Sequence, residues 1–445
     1  MSSVSHTSSA ERETATVNVI TPREARKAAI GALVGNVLEW YDFFLFNTAA
    51  ALVFNVQYFV SDDPALASMA AFATLAVGFI VRPLGGLIFG RLGDRIGRKA
   101  VLIITVIGIG VATGLIGILP NYMSIGIWAP IFLLTLRLLQ GLFIGGEWSG
   151  AMTLAVENAP LKMRARMAAI PQLGSPIATL LSSGFFFLLT YYLSADNFDA
   201  WGWRIPFLLA IPLLLVALWM RAKMQESPVF QEVQASGDGE KAPLKVVFTT
   251  AWRQLLVGVF AVILGTAGFY IVTTFVMNYG TRVLGMERNM ILAATLIGSV
   301  FQLLSVLHAG RLGQKYGATK VIMGAGILTA LVAFPCFLLI QTTNFVLVTI
   351  GIVVSVSLLT YSFAAAGPVL TGLFPSNVRL SGVAVGFNGA NVLAGLTPLI
   401  ATALVTASGD EWWPAATMLV VFAVLSVIGA KLAPKYSQQY ADYKH

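Results

Sequence analysis

The chain has 445 residues, of which 57% are hydrophobic and 11% charged, with a formal net charge of +8. That charged fraction is about half of what a soluble domain carries, and a mean hydropathy of +0.81 held over such a length excludes a single water-soluble core. The lone cysteine, Cys336, excludes disulfides and thiolate metal sites within the chain.

Residues 1–26 form a polar tail with no apolar centre, which reads as a cytoplasmic tail and not a signal peptide. Twelve apolar blocks follow, near 30–57, 66–90, 100–119, 127–157, 168–194, 203–221, 252–279, 290–309, 320–341, 345–374, 381–406 and 412–432. Blocks of roughly 18 or more apolar residues are long enough to cross the hydrocarbon layer as helix. Between the sixth and seventh lies a polar linker, 222–250, with Gln225-Glu226-Ser227-Pro228 and Ser236-Gly237-Asp238-Gly239, which is loop chemistry. The sequence therefore predicts an all-α polytopic membrane protein of twelve transmembrane helices. They form two six-helix bundles, 27–221 and 251–432, followed by a short tail at 433–445.

Charge follows the same plan. Apart from Arg82 and Arg137 inside spans, the Lys and Arg residues sit in the two tails and the even-numbered loops, except Arg204, Arg282 and Arg288. This asymmetry is the positive-inside pattern and predicts both termini in the cytoplasm. The basic balance thus reports topology, and no nucleic-acid footprint is expected.

The halves echo one another. Gly90-Arg91-Leu92-Gly93-Asp94-Arg95-Ile96-Gly97-Arg98-Lys99 follows the second block, and Gly310-Arg311-Leu312-Gly313-Gln314-Lys315-Tyr316-Gly317 follows the eighth. Ala159-Pro160…Arg164 pairs likewise with Phe374-Pro375…Arg379. Repeated halves of this kind are how many secondary transporters are made.

The 90–99 segment resembles the loop signature of the major facilitator superfamily. By that resemblance Gly90, Asp94, Arg95, Gly97, Arg98 and Lys99 form a cytoplasmic latch, with Asp94 at the N-terminus of the eleventh helix, where the dipole favours a carboxylate. Glu157 is a further latch partner, and Gln314 leaves the second copy without its acid. Gly35-Asn36-Val37-Leu38-Glu39-Trp40-Tyr41-Asp42-Phe43 is similar to the metabolite:proton symporter family of that superfamily. So are Arg137-Leu138-Leu139-Gln140-Gly141 and Trp201-Gly202-Trp203-Arg204-Ile205-Pro206-Phe207. Thr48–Asn55, Gly117–Pro120 and Trp128–Ile131 narrow the resemblance to its shikimate-carrying members.

Ionisable groups at membrane depth are functional candidates by default, and those in this chain all lie in the first half: Glu39, Asp42, Arg82, Arg137 and Glu147. Asp42 lies roughly 18 Å along one helix and Arg137 roughly 15 Å along a helix running the other way, so both fall near the midplane. Glu39 and Asp42 share a helix face. In sugar/proton relatives an acid on the first helix and an Arg on the fourth form the coupling pair, positions matched by Asp42 and Arg137. A carboxyl that alternates between an Arg and a dry cavity alternately releases and takes up a proton. Arg137, when released, can hold a substrate carboxylate by a bidentate contact. Arg82 and Glu147 are a second candidate pair, and both pairs also read as fixed structural contacts between helices.

Substrate candidates are the polar and aromatic residues near mid-depth. They are Asn36, Tyr41, Gln140 and Gln172 in the first half, and Tyr270, Gln302, Tyr361, Asn388 and Asn391 in the second. His308, at the end of the eighth block, reads as interfacial. The favoured expectation is a monomeric, proton-coupled importer of a small organic acid, shikimate-like, driven by the proton gradient without a cofactor or metal. A drug/proton antiporter and a non-transporting nutrient receptor of the same fold stay open. Against the antiporter, Gly174-Ser175-Pro176-Ile177-Ala178-Thr179 lacks the closing glycines of that group's fifth-helix signature. No nucleophile–base pair or metal cluster suggests an enzyme.

Overall fold

The computed structural model describes residues 22–96, 98–145, 163–222, 248–249, 251–374 and 379–437. Among them every regular element is helical. Helix is the expected outcome, because a chain in lipid has to satisfy its backbone hydrogen bonds within each segment.

Six spans make the first half. α1 is Pro22–Ala49, prolonged through a π-helical turn, Ala50–Phe54, to Asn55–Gln57. α2 joins Pro64–Ile80 to Arg82–Ile96; α3 is Arg98–Ile118; α4 is Trp128–Ile144. α5 joins Arg164–Gln172 to Gly174–Tyr192, and α6 is Ile205–Ala222. In the second half, α7 runs from Trp252 to Arg282 through two π-helical turns, Leu264–Gly268 and Ile271–Phe275. α8 is Arg288–Tyr316, α9 Ala318–Gln341, and α10 joins Phe345–Ala364 to Ala366–Leu373. α11 is Arg379–Ala407 and α12 is Trp413–Tyr436. Of these, eight are long and apolar enough to cross a membrane by themselves, and three more (in α3, α4 and α6) are shorter apolar helices. α1, the most polar of the set, completes the twelve. Of the linker only 222, 248 and 249 are described, and of the expected tails 22–26 and 433–437, which extend α1 and α12 beyond the bounds expected from the sequence.

The end of the bundle carrying Pro22 is here the proximal face, and the opposite end the distal face. At the distal face Trp203 is fully buried and Arg204 lies over its ring, 4.4 Å from the centroid. Arg204 Nη1 and the Tyr58 hydroxyl both donate to the Leu119 carbonyl, at 2.6 and 2.7 Å. They satisfy a carbonyl that the end of α3 would leave unpaired. The Trp203-Arg204 motif is therefore a clamp holding α1, α3 and α6 together.

The halves meet along α2–α11 and α5–α8. Across this interface Arg288 pairs with Asp199 at 2.9 Å, Asn278 Nδ2 donates to Ser68 at 3.1 Å, and Gln172 Nε2 donates to the Phe363 carbonyl at 3.3 Å. The first two contacts close the distal end.

Within the first half, α2 and α4 approach at backbone distance. A Cβ on Gly141 would overlap the Gly78 carbonyl, and one on Gly78 would overlap Nε of Arg137. Small residues let membrane helices approach this closely, and here the approach seats Arg137. Gly141→Ala is therefore expected to cost about 1–3 kcal/mol, the range for overpacking, and to lower the melting temperature of the purified protein in detergent. Gly324→Ala, whose Cβ meets nothing within 4 Å, should leave it unchanged or raise it. Equal melting temperatures for the two variants would contradict the close approach.

Candidate functional site

Asp42, on α1, is 2% exposed, and its neighbours come from two other helices. Its Oδ1 accepts a hydrogen bond from the Thr113 hydroxyl on α3 and another from Gln140 Nε2 on α4, at 3.0 Å. Gln140 Nε2 also donates to Thr113 Oγ1 at 2.9 Å, and Gln140 Oε1 accepts from Arg137 Nη1 at 3.3 Å. Asp42 Oδ2 has no hydrogen-bond partner. The acid and base expected to pair are thus joined through Gln140. Direct ion pairs are seen instead at the distal face, Arg288–Asp199 and Arg282–Asp410.

Arg137 is seated against aromatic rings. Its guanidinium sits 4.2 Å from the Phe46 centroid and 5.7 Å from that of Phe43, with 1% of the residue exposed. Arg82, on α2, lies 4.2 Å from the Phe79 centroid and 5.4 Å from that of Phe43. Phe43 is shared by both cations, and an aromatic face attracts a desolvated guanidinium by about 2 kcal/mol or more. Two carboxylates, Glu39 and Asp42, lie on the same helix as Phe43. Glu39 itself is half-buried one turn from Asp42.

The partner proposed for Arg82, Glu147, lies outside the described residues, as do Gly97 and Glu157 of the latch. For Gly90, Asp94, Arg95, Arg98 and Lys99 only a helical backbone is described.

Next to the charged layer, between the halves, is a small cavity of about 10 Å³, room for about one water molecule. Trp40 and Ser175 line it from the first half. Gly265, Thr266, Phe269, Tyr270, Gln302, Thr360, Phe363 and Asn391 line it from the second. Tyr270 stacks edge-on against Phe43 at 5.4 Å and Phe79 at 5.9 Å, so the cavity wall and the cation layer share their rings. Three lining side chains carry buried polar atoms without partners: the donors Trp40 Nε1 and Asn391 Nδ2, and the acceptor Gln302 Oε1. Such atoms are rare in a folded interior unless something else satisfies them.

The substrate candidates therefore divide. Tyr270, Gln302 and Asn391 line the cavity, while Arg137 and Gln140 belong to the charged layer. Asn36 donates to the Pro171 carbonyl at 2.9 Å, Tyr41 to that of Pro206 at 3.0 Å, and Gln172 to that of Phe363. The Tyr361 hydroxyl is 2.6 Å from His308 Nδ1, on the exposed side of α8. Asn388 is half-buried, one turn from Asn391, and does not line the cavity. Thr113, Trp40 and Phe43 were missed as candidates. Trp40 and Phe43 carried a signal, flanking Asp42 in the first-span motif. Thr113 carried none, since a threonine inside an apolar helix ordinarily bonds its own backbone.

Residues 28–243 match the family model described as sugar (and other) transporter. The shikimate transporter of Escherichia coli is 39% identical over 415 residues, covering 92% of this chain and 94% of that protein. An inner-membrane metabolite transport protein of the same organism is 37% identical over 87% and 90% of the two chains, and the proline/betaine transporter of Salmonella typhimurium 34% over 94% and 85%. Among solved structures, a D-xylose–proton symporter superposes with a TM-score of 0.68 at 18% identity over 92% of this chain and 97% of that one, a likeness of fold alone. With relatives of this identity along nearly its whole length, the chain belongs to the major facilitator superfamily and is a multi-pass membrane transporter, not an enzyme.

Proposed function

We propose that the protein is a proton-coupled symporter that imports a small organic acid by alternating access, with Asp42 as the proton carrier. The observation that carries this reading is the state of Asp42, a buried carboxyl with one oxygen in a hydrogen-bonded network and the other unpartnered. A permanently ionised carboxylate at this depth calls for an adjacent cation, whereas a group that takes up and gives back a proton needs its cation near but not bonded. Arg137, one amide away, meets that description. The driving force is then the proton gradient. The distribution of Lys and Arg makes the proximal face cytoplasmic, and the inner-membrane relative supports a bacterial inner membrane. The protein works as a monomer, since each chain holds both halves of the cavity.

The lining of the cavity supports the substrate class, although at about 10 Å³ the cavity is closed and has to widen before a ring can enter. Two donors and one acceptor without partners, set among the faces of Trp40, Phe269, Tyr270 and Phe363, suit a small ring carrying hydroxyl groups. Arg137 and Arg82 lie behind the shared rings and supply the cationic counterpart for a carboxylate. The 39% identical shikimate transporter supports this reading. The aromatic lining also favours one second reading, a carboxylate bearing a quaternary ammonium, because such cations are held by π faces. The proline/betaine relatives point the same way.

Asp42→Asn should abolish accumulation of substrate against a gradient in proteoliposomes while counterflow persists. If the variant still concentrates substrate, Asp42 is not the proton carrier.

Gln302→Ala and Asn391→Ala should each raise KM about tenfold, the effect of one hydrogen bond of ~1.4 kcal/mol. Asn36→Ala, which removes a contact between helices, should leave KM near its original value. Competition by shikimate but not by glycine betaine would support the hydroxylated ring acid, and the reverse pattern would replace it with the ammonium compound.

A further inference from the structure

Thr113 is fully buried on α3, and its Oγ1 has three partners within reach. They are Asp42 Oδ1, the Ile109 carbonyl at 2.8 Å and Gln140 Nε2 at 2.9 Å. A hydroxyl carries one proton. Donation to Asp42 and donation to Ile109 are therefore alternatives, not simultaneous bonds.

The rest of the network has no such freedom. Arg137 is a donor only, so the Gln140 oxygen is fixed toward Arg137 and its NH2 group toward Asp42 and Thr113. Both amide hydrogens are then used, one on Asp42 Oδ1 and one on Thr113 Oγ1. Turning the amide over would set its NH2 against the guanidinium. The Thr113 proton is the one part of this array that can rotate without breaking another bond.

We propose that Thr113 is a positioning residue for proton coupling, whose hydroxyl turns toward Asp42 when that carboxyl is ionised and toward the Ile109 carbonyl when it is protonated. The inference rests on the reading of Asp42 as the proton carrier. A proton reaching Asp42 attaches at the unpartnered Oδ2, and Oδ1, now a weaker acceptor, releases the Thr113 hydrogen to Ile109 O. Loss of the proton reverses the rotation. No covalent bond other than the O–H of Asp42 forms or breaks. The charged and titratable groups around Asp42 are Arg137 from α4, Arg82 from α2, and Glu39 and Tyr41 on α1 itself. The two arginines stay protonated in this step, and of the groups bonded to Asp42 Oδ1 the Thr113 hydroxyl is the one free to turn with its charge.

The consequence is selective. A hydrogen bond to a charged acceptor is stronger than one to a neutral acceptor. Removing the hydroxyl withdraws more support from the ionised form than from the protonated one. Thr113→Val keeps the shape and removes the hydroxyl; Thr113→Ser keeps the hydroxyl and removes a methyl group.

The test is the pH profile of substrate uptake in proteoliposomes, with counterflow measured beside it. For Thr113→Val, the pH at which uptake falls to half should rise by about one unit, with counterflow retained. Thr113→Ser should restore the original profile. A purely structural threonine would give the opposite order, with serine, which leaves a gap, the more damaging change. A Thr113→Val profile superimposable on the unmodified protein overturns the proposal, as does a serine variant that shifts as far as valine. Asp42→Asn separates the two claims. If it abolishes accumulation and Thr113→Val moves nothing, only the role of Thr113 fails; if it leaves accumulation intact, the reading of Asp42 fails first.

Discussion

The arrangement depends on a guanidinium buried against a benzene ring. Among the described residues Arg137 has no direct carboxylate, and its Nε and Nη2 make no hydrogen bonds. A charge so placed is costly unless its surroundings replace what water supplied. Here the replacement is Phe46 on one side, Phe43 on another, and the Gln140 oxygen at a single nitrogen. That set is enough to keep Arg137 buried without neutralising it, and it leaves the guanidinium available to other acceptors. A fixed salt bridge in the same position would tie α1 to α4 in every state of the transporter. A ring and an amide tie them loosely.

The close approach of α2 and α4 makes this possible. Gly78 and Gly141 let the two backbones touch, and the missing side chain of Gly78 is the space in which the Arg137 stem lies. A Cβ at either position would push α2 and α4 apart over the turn from Arg137 to Gly141. Arg82 would then lose Phe43, and the two cations would no longer share a ring. Packing at two positions without side chains thus decides the electrostatics at two positions with long ones.

Sequence patterning made the helices and the half-by-half plan legible, because hydropathy over twenty residues integrates many weak signals into one strong one. It also picked out the charges that the described helices bury, Asp42, Arg82 and Arg137, since a single Asp or Arg in an apolar block stands out against its background. It did not resolve which polar side chain serves which purpose. Asn36, Tyr41, Gln172 and Tyr361 look the same in sequence as Gln302 and Asn391. The difference lies in whether a neighbouring helix offers a carbonyl within about 3 Å, and that depends on helix rotation and crossing. The Asp42–Arg137 relation shows the same limit: sequence placed the two at one depth, and only the packing of Phe46 and Gln140 sets how they meet. The Trp203-Arg204 motif was legible as a family mark, while its use as a clamp on the Leu119 carbonyl appeared only with the fold.

The two halves divide the labour physically. The first holds the charges and the second, through α7, α8 and α11, most of the neutral polar wall. Among the contacts between them, Phe43 meets Tyr270. Both residues lie on the first helix of their half, and both helices leave regular α geometry nearby, at Ala50–Phe54 and at Leu264–Gly268 with Ile271–Phe275. π-helical turns concentrate at functional positions because they re-aim side chains within a continuous helix. A shift of Tyr270 moves the wall of the cavity and, through Phe43, the ring that supports two cations. Through that shared ring, occupation of a neutral cavity can bear on a buried acid in the other half, although the lining of the cavity includes no charged side chain.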